Sequence, residues 1–188
     1  LIDLEQQRAS RILTEWLKVE LQRAPFRVIQ REEKRTLSLG GLEFDARLDR
    51  VDELQDGSHV LIDYKTGAAS SKSWEGERPD EPQLPVYALT HPSRIGAVTF
   101  ARVTRDEPAF DGVASNPRTL PGVETASIME CLERWQKSVD ALAAEFAAGR
   151  ADVEPKYGAE TCRYCDLPAL CRVSELRGAA IAAEEGIE

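Results

Sequence analysis

Between residues 47 and 67 the chain reads Arg-Leu-Asp-Arg-Val-Asp, a polar turn, then Leu-Ile-Asp-Tyr-Lys-Thr-Gly, so charged residues interrupt sequence that is otherwise apolar and strand-like. Gln55-Asp56-Gly57-Ser58 has hairpin-turn chemistry, and residues 47–54 and 59–65 are predicted to pair as antiparallel strands. Counting back from the turn sets Asp49 nearly opposite Asp63. Two carboxylates facing each other across a ladder repel, and on a half-buried sheet that arrangement calls for a cation between them. Lys65 projects on the same face as Asp63. Carboxylates on adjoining strands can hold a hard divalent ion, Mg²⁺ being the natural one, with water and a phosphate completing the octahedron. Such an ion lowers the pKa of bound water, and a lysine beside it can orient that water or share the charge building on the phosphate. On charge pattern alone, an exposed hairpin bearing ordinary salt bridges reads equally well.

The elements that must position these residues follow from periodicity. Residues 4–21 carry Ala9, Ile12, Leu13, Trp16, Leu17 and Leu21 at helical spacing, and Pro25 ends that helix. Residues 26–29 read as a strand leading into the charged run 31–35, and Leu37-Ser38-Leu39 before Gly40-Gly41 marks a turn. With the central hairpin this gives an antiparallel meander of three or more strands. Residues 66–82, rich in Gly, Ser, Pro and charge, are predicted to be a long surface loop bordering a site. A short helix over 83–89, a buried strand over 95–103, a loop over 104–121 and a helix over 123–148 stopped by Gly149 complete the order. A mixed sheet flanked by helices, an α/β (α+β) domain, is the fold this predicts. Residues 1–150 form the predicted domain, and residues 151–188 a linker, a cysteine segment and an Ala- and Glu-rich tail.

The 188 residues are 42% hydrophobic and 30% charged, enough for one globular domain with an appendage. No apolar run is long enough to span a bilayer and no basic-then-apolar leader opens the chain, so a soluble cytoplasmic piece of something longer is expected. The net charge of −9 disfavours non-specific binding to nucleic acid, so any such contact has to be local or metal-assisted. Of the four cysteines, Cys162, Cys165 and Cys171 crowd together among Arg163, Asp166 and Arg172, as soft ligands of a transition metal do. Cys-x-x-Cys is equally common in zinc sites. Cys131 falls in the stripe of the last helix and reads as a core thiol. His59 abuts the hairpin turn and His91 follows the short helix, and both read as bystanders.

Leu48-Asp49-Arg50-Val51-Asp52, Ile62-Asp63-Tyr64-Lys65-Thr66-Gly67 and Gln83-Leu84-Pro85-Val86-Tyr87 resemble, in order and spacing, the successive motifs of the PD-(D/E)XK nuclease superfamily. The resemblance is to its RecB-type nuclease domains of the AddB-like kind, found in DNA-repair helicase-nucleases. It implies a restriction-endonuclease-like core and a Mg²⁺- or Mn²⁺-dependent, exonuclease-like deoxyribonuclease. In such a domain Asp49 and Asp63 hold the metal, with the Tyr64 carbonyl as a further ligand, and Lys65 assists the attacking water. Gln83 and Tyr87, one helical turn apart, border the site and help hold the strand. A further acidic residue precedes the glycine turn in this family, and Glu32, in phase with Phe26 and Val28, is preferred over Glu33 for it.

The cysteine triplet resembles the one that carries a four-iron four-sulfur cluster in RecB-type nucleases, where a fourth cysteine lies upstream of the nuclease motifs. That cysteine and the family's metal-binding His are not identifiable here and are expected upstream of Leu1. Partners implied are DNA, as single strands or ends, and a helicase subunit or domain. A non-catalytic domain that keeps the fold for DNA binding or helicase scaffolding is the alternative.

Overall fold

In the computed structural model of the chain, residues 2–173 are described. The chain divides into two compact units, Leu1–Ala147 and Ala148–Glu188. The first contains a six-stranded sheet in the order β1-β2-β3-β4-β5-β6. The strands are β1 (Phe26–Leu39), β2 (Leu42–Leu54), β3 (His59–Lys65), β4 (Ile95–Arg102), β5 (Ala109–Ala114) and β6 (Glu124–Thr125), joined by helices α1 (Ile2–Glu20), α2 (Gln83–Thr90) and α3 (Ile128–Ala147). Neighbours pair antiparallel except β3 with β4 and β5 with β6, which are parallel, so the sheet is mixed as its sequence predicts.

The two faces of the sheet carry separate cores. On one face Trp16 of α1 packs with Val60, Ile62, Ala97, Ala101 and Phe110. On the other, Leu61, Val98 and Phe100 meet Leu84 and Tyr87 of α2 and Cys131, Trp135 and Val139 of α3. Adjacent residues of β3 and β4 thus serve opposite faces, the strand period at work, and both strands read as nearly continuous apolar runs because helices cover both sides. Trp16 is the one buried residue of α1, and Leu13 and Leu17 are more than half exposed, so the predicted stripe is only partly used.

Three differences from the predicted elements have local causes. The charged run at 31–35 does not break the first strand. β1 spans 14 residues and pairs with β2 along almost its whole length, closed by Gly40 and Gly41 at φ 58° and 81°, the left-handed pair that a tight hairpin turn demands. Residues 109–114, predicted as loop, form β5, whose burial alternates strictly although Asp and Gly interrupt it. The last helix starts at Ile128 rather than residue 123, because the Ser127 hydroxyl accepts the Glu130 N–H as an N-cap and β6 precedes it. Among the described residues no helix is long and apolar enough to cross a membrane.

The second unit holds a run of turns over 156–164 and a short helix α4 (Pro168–Cys171). The tail expected after the cysteines lies outside the described residues.

β5 needs glycine at one position. A Cβ on Gly112 would stand 2.2 Å from the Val98 carbonyl oxygen and 2.6 Å from Thr99 Cα, and backbone cannot yield as a side-chain tip can. Gly112→Ala is expected to lower the unfolding free energy by about 3 kcal/mol, the upper end for overpacking. Urea denaturation measures it, and a loss under about 1 kcal/mol would mean that β4 and β5 approach less closely than described.

Candidate active site

The recorded β2–β3 ladder ends at the pair Arg50 and Ile62, and one further step along the same register sets Asp49 against Asp63. At that point a side chain replaces the ladder: the Tyr64 N–H donates to Asp49 Oδ2 at 2.7 Å. Asp49, Asp63, Tyr64 and Lys65 line one cavity of about 920 Å³ with Glu81 and Gln83, while Phe44, Leu142 and Phe146 form part of its apolar wall.

An irregularity in β1 and β2 sets the aim of Asp49. Leu48 and Val51 are three residues apart, yet both bury in the α2–α3 core, so the two-residue alternation slips between them. Across the ladder, Glu33 pairs with Leu48 and Arg31 with Arg50, which leaves Glu32 abreast of Asp49 with φ 51°, in the left-handed region. For a residue other than glycine this costs about 1–2 kcal/mol, and such departures are common where a strand must redirect a side chain next to a site.

Lys65 Nζ lies 2.9 Å from Asp63 Oδ2 and 3.2 Å from Glu81 Oε2. Asp63 Oδ2 is shut off from solvent and is held by the Lys65 ammonium. Burial pushes the Asp63 carboxyl above its ordinary value; Lys65 opposes that rise, and Asp49 and Glu81 add to it. Burial alone would lower Lys65, but its bond and charge interaction with Asp63, joined by Glu81, outweigh burial and raise it. Lys65 is therefore a cation at neutral pH.

The remaining candidates divide. Gln83 opens α2, lines the cavity and donates through Nε2 to the Arg47 carbonyl at 2.8 Å. Tyr87, a turn later, is 2% exposed, and its hydroxyl sits 3.4 Å from the Glu33 carbonyl, so its ring belongs to the core rather than to the cavity wall. Glu32 pairs with Arg47 at 3.1 Å and does not line the cavity. The phase argument for it fails because the register shifts between Val28 and Gln30 before Glu32 turns left-handed. Glu81 is the acidic residue that the sequence reading missed. Its one cue is its place two residues before Gln83, in a stretch read only as surface loop.

Arg50 and Asp52, from the same motif as Asp49, face the other way. Arg50 forks onto Asp52 at 2.6 and 2.9 Å and reaches Glu20 at 2.9 Å, while Arg23 lies 2.7 Å from Asp52 and 2.9 Å from Glu20. Arg23 also stacks over the Phe26 ring at 3.9 Å. The Arg23 and Asp52 side chains are fully buried, so each depends on the others to offset desolvation.

His59 and His91 pair with each other, Nδ1 to Nε2 at 2.8 Å, and burial draws His91 down to about 4. Neither lines the cavity. Cys131 is buried in α3. In the second unit Cys162 and Cys171 are half-buried and Cys165 exposed, all as thiols. Among the described residues no three His, Cys, Asp or Glu side chains gather closely enough to share a metal. Asp49 and the buried Asp63, two carboxylates lining one cavity, do fit a small hard cation that completes its shell with water and substrate oxygens.

A mixed sheet with helices on both faces, which sets two aspartates and a lysine on adjoining strand ends beside a cavity, defines a restriction-endonuclease-like class of α/β domain. The chain belongs to the PD-(D/E)XK nuclease superfamily, whose family model matches residues 1–172. Membership implies a nuclease, a hydrolase whose relatives typically use divalent metals. A solved structure described as "Crystal structure of SSO0001" is similar at 15% identity and a TM-score of 0.40, over 76% of this chain and 59% of that one, so the chain spans less than two thirds of that protein's chain. No match was found among curated proteins.

Because the folded state raises the Asp63 pKa, the charged carboxylate costs stability above that pKa, and the cost disappears as pH falls below the unfolded value of about 4. In EDTA at pH 8, Asp63→Asn is expected to melt no lower than the parent chain, with any advantage shrinking toward pH 4. A clearly lower midpoint at pH 8 would mean that the carboxylate's partners stabilise it by more than burial costs.

Proposed function

We propose that this chain is a divalent-metal-dependent, exonuclease-like deoxyribonuclease domain of a DNA-repair or recombination protein, working on single strands or DNA ends beside a helicase. The observation that carries the catalytic part is the buried Asp63 carboxylate set beside Asp49 and Lys65 in one cavity. The repair context, the AddB-like subtype, the cytoplasmic location and the helicase rest on the motif resemblance.

In this reading Asp49 and Asp63, with the Tyr64 carbonyl, hold Mg²⁺ or Mn²⁺, which when bound supplies a Lewis acid for the phosphate and a more acidic water. Lys65 stays protonated because Asp63 and Glu81 hold it so. As a cation it cannot serve as the base; it orients the attacking water and stabilises charge growing on the phosphate oxygens. Glu81 tethers the ammonium from the loop side. Gln83, held on the Arg47 carbonyl, borders the strand's path, and Tyr87 supports that border from the core.

Lys65→Ala is expected to reduce DNA cleavage at least about 100-fold, the scale of losing one charge-stabilising donor, with Mn²⁺ binding by calorimetry retained. Asp63→Asn is expected to abolish that binding. Equal cleavage by the parent chain and Lys65→Ala would remove the lysine from the mechanism and favour a non-catalytic DNA-binding domain.

For Cys162, Cys165 and Cys171 the reading is an iron–sulfur cluster completed by a ligand outside the triplet. Anaerobically purified protein extended upstream of Leu1 is then brown, with absorbance near 400 nm typical of such clusters. A colourless protein with bound zinc would overturn it.

A further inference from the structure

Tyr64 touches both faces of the sheet. Toward the cavity its main-chain N–H holds Asp49 Oδ2 at 2.7 Å. On the opposite face its hydroxyl accepts from Arg50 Nη1 at 2.8 Å, and Trp16 meets its ring edge-on with centroids 6.0 Å apart. The same Nη1 donates to Glu20 Oε1 at 2.9 Å, and the rest of the guanidinium is forked onto Asp52. Arg50 is therefore fixed by three bonds to two carboxylates before it reaches the tyrosine. None of Glu20, Arg23, Arg50 and Asp52 lines the cavity.

The charge cluster does not need the hydroxyl. Glu20 and Asp52 already neutralise Arg23 and Arg50, and the tyrosine bond adds no charge to that balance. It adds a fixed point on a residue that keeps its β4 neighbour but whose N–H has no ladder partner on the β2 side. The β2–β3 pairing stops at Arg50 and Ile62, so the Tyr64 N–H relies on a side chain that would otherwise rotate freely. A ring anchored on one face and an amide committed to Asp49 join the β4 pairing in leaving the segment between Asp63 and Lys65 little room to turn.

We propose that Glu20, Arg50 and the Tyr64 hydroxyl form a positioning device, in which α1 pins Tyr64 so that its amide engages one oxygen of Asp49 and leaves the other for a cation in the cavity. The cation part rests on the metal-binding reading above. Arg50, Glu20 and Tyr64 act here through Asp49 and not on substrate.

The test uses Tyr64→Phe in the full chain, which removes the hydroxyl while Arg50 keeps Asp52 and Glu20. Val19→Ala, which loosens packing on the same face and keeps the Tyr64 hydroxyl, is the control. Amide hydrogen exchange is read by NMR at position 64 and, as reference, at Leu61, and Mn²⁺ affinity is read by calorimetry. In Tyr64→Phe the amide at 64 is expected to exchange about 10-fold faster with Leu61 unchanged, and Mn²⁺ to bind about 3- to 10-fold more weakly, the scale of one hydrogen bond. Val19→Ala is expected to melt earlier and bind Mn²⁺ as the parent chain does. Unchanged exchange at 64, unchanged affinity in Tyr64→Phe, or an equal loss of affinity in Val19→Ala overturns the proposal. If the parent chain binds no Mn²⁺, the metal reading fails, and exchange at position 64 alone decides whether the tether exists.

Discussion

β3 is enclosed by strands on both sides and by helices on both faces, so each of its apolar side chains is committed to one of two cores. Val60 and Ile62 serve the α1 side, and Leu61 the α2–α3 side. That commitment fixes where Asp63, Tyr64 and Lys65 emerge as the strand leaves the sheet. A shift of one residue would send Asp63 and Lys65 toward α1 and the Tyr64 ring into the cavity, and would bury every apolar neighbour on the wrong side. The site inherits its precision from the packing of residues that do no chemistry.

Close to that strand end the chain departs from locally favourable choices. Glu32 is left-handed without being glycine, and Asp63 buries a carboxylate beside Asp49 with the Lys65 ammonium to offset it. On the α1 side, where burial is deeper still, the charges balance, with two guanidinium groups against two carboxylates. The contrast separates two uses of buried charge in one motif: Arg50 and Asp52 are matched to each other, while Asp49 and Asp63 set two carboxylates beside one lysine.

Much of this was legible in the residues. The Gln55–Ser58 turn set the register, and the register brought Asp49 abreast of Asp63, because a short hairpin permits little choice in counting. α2 and β4 were legible for the same reason: strong local patterning matched the environment. β5 was hidden because Asp111 and Gly112 weaken its strand character, and only β4 packed against it reveals why glycine is there. The aim of Asp49 was hidden too, since it depends on an irregularity shared by two strands, and alternation read along one strand assigned Glu32 the wrong phase. Glu81 could not be found from pattern, because a loop residue's partner is fixed by where the loop returns. Tyr87 was read correctly as sharing a helix with Gln83, but which of the two reaches the cavity depends on how α2 sits on the sheet.

The sheet has two edges of unequal length. β6 has two residues, whereas β1 runs for 14 with one side of its backbone unpaired among the described residues. A long open edge is a template on which a second chain can add a strand. Here the middle of that edge carries Arg31, Glu32, Glu33, Lys34 and Arg35, and the left-handed turn of Glu32 interrupts the regular row of donors and acceptors. The irregularity that aims Asp49 also makes the longest free edge a poor surface for strand addition, so one break in the strand guards against aggregation while it serves the site.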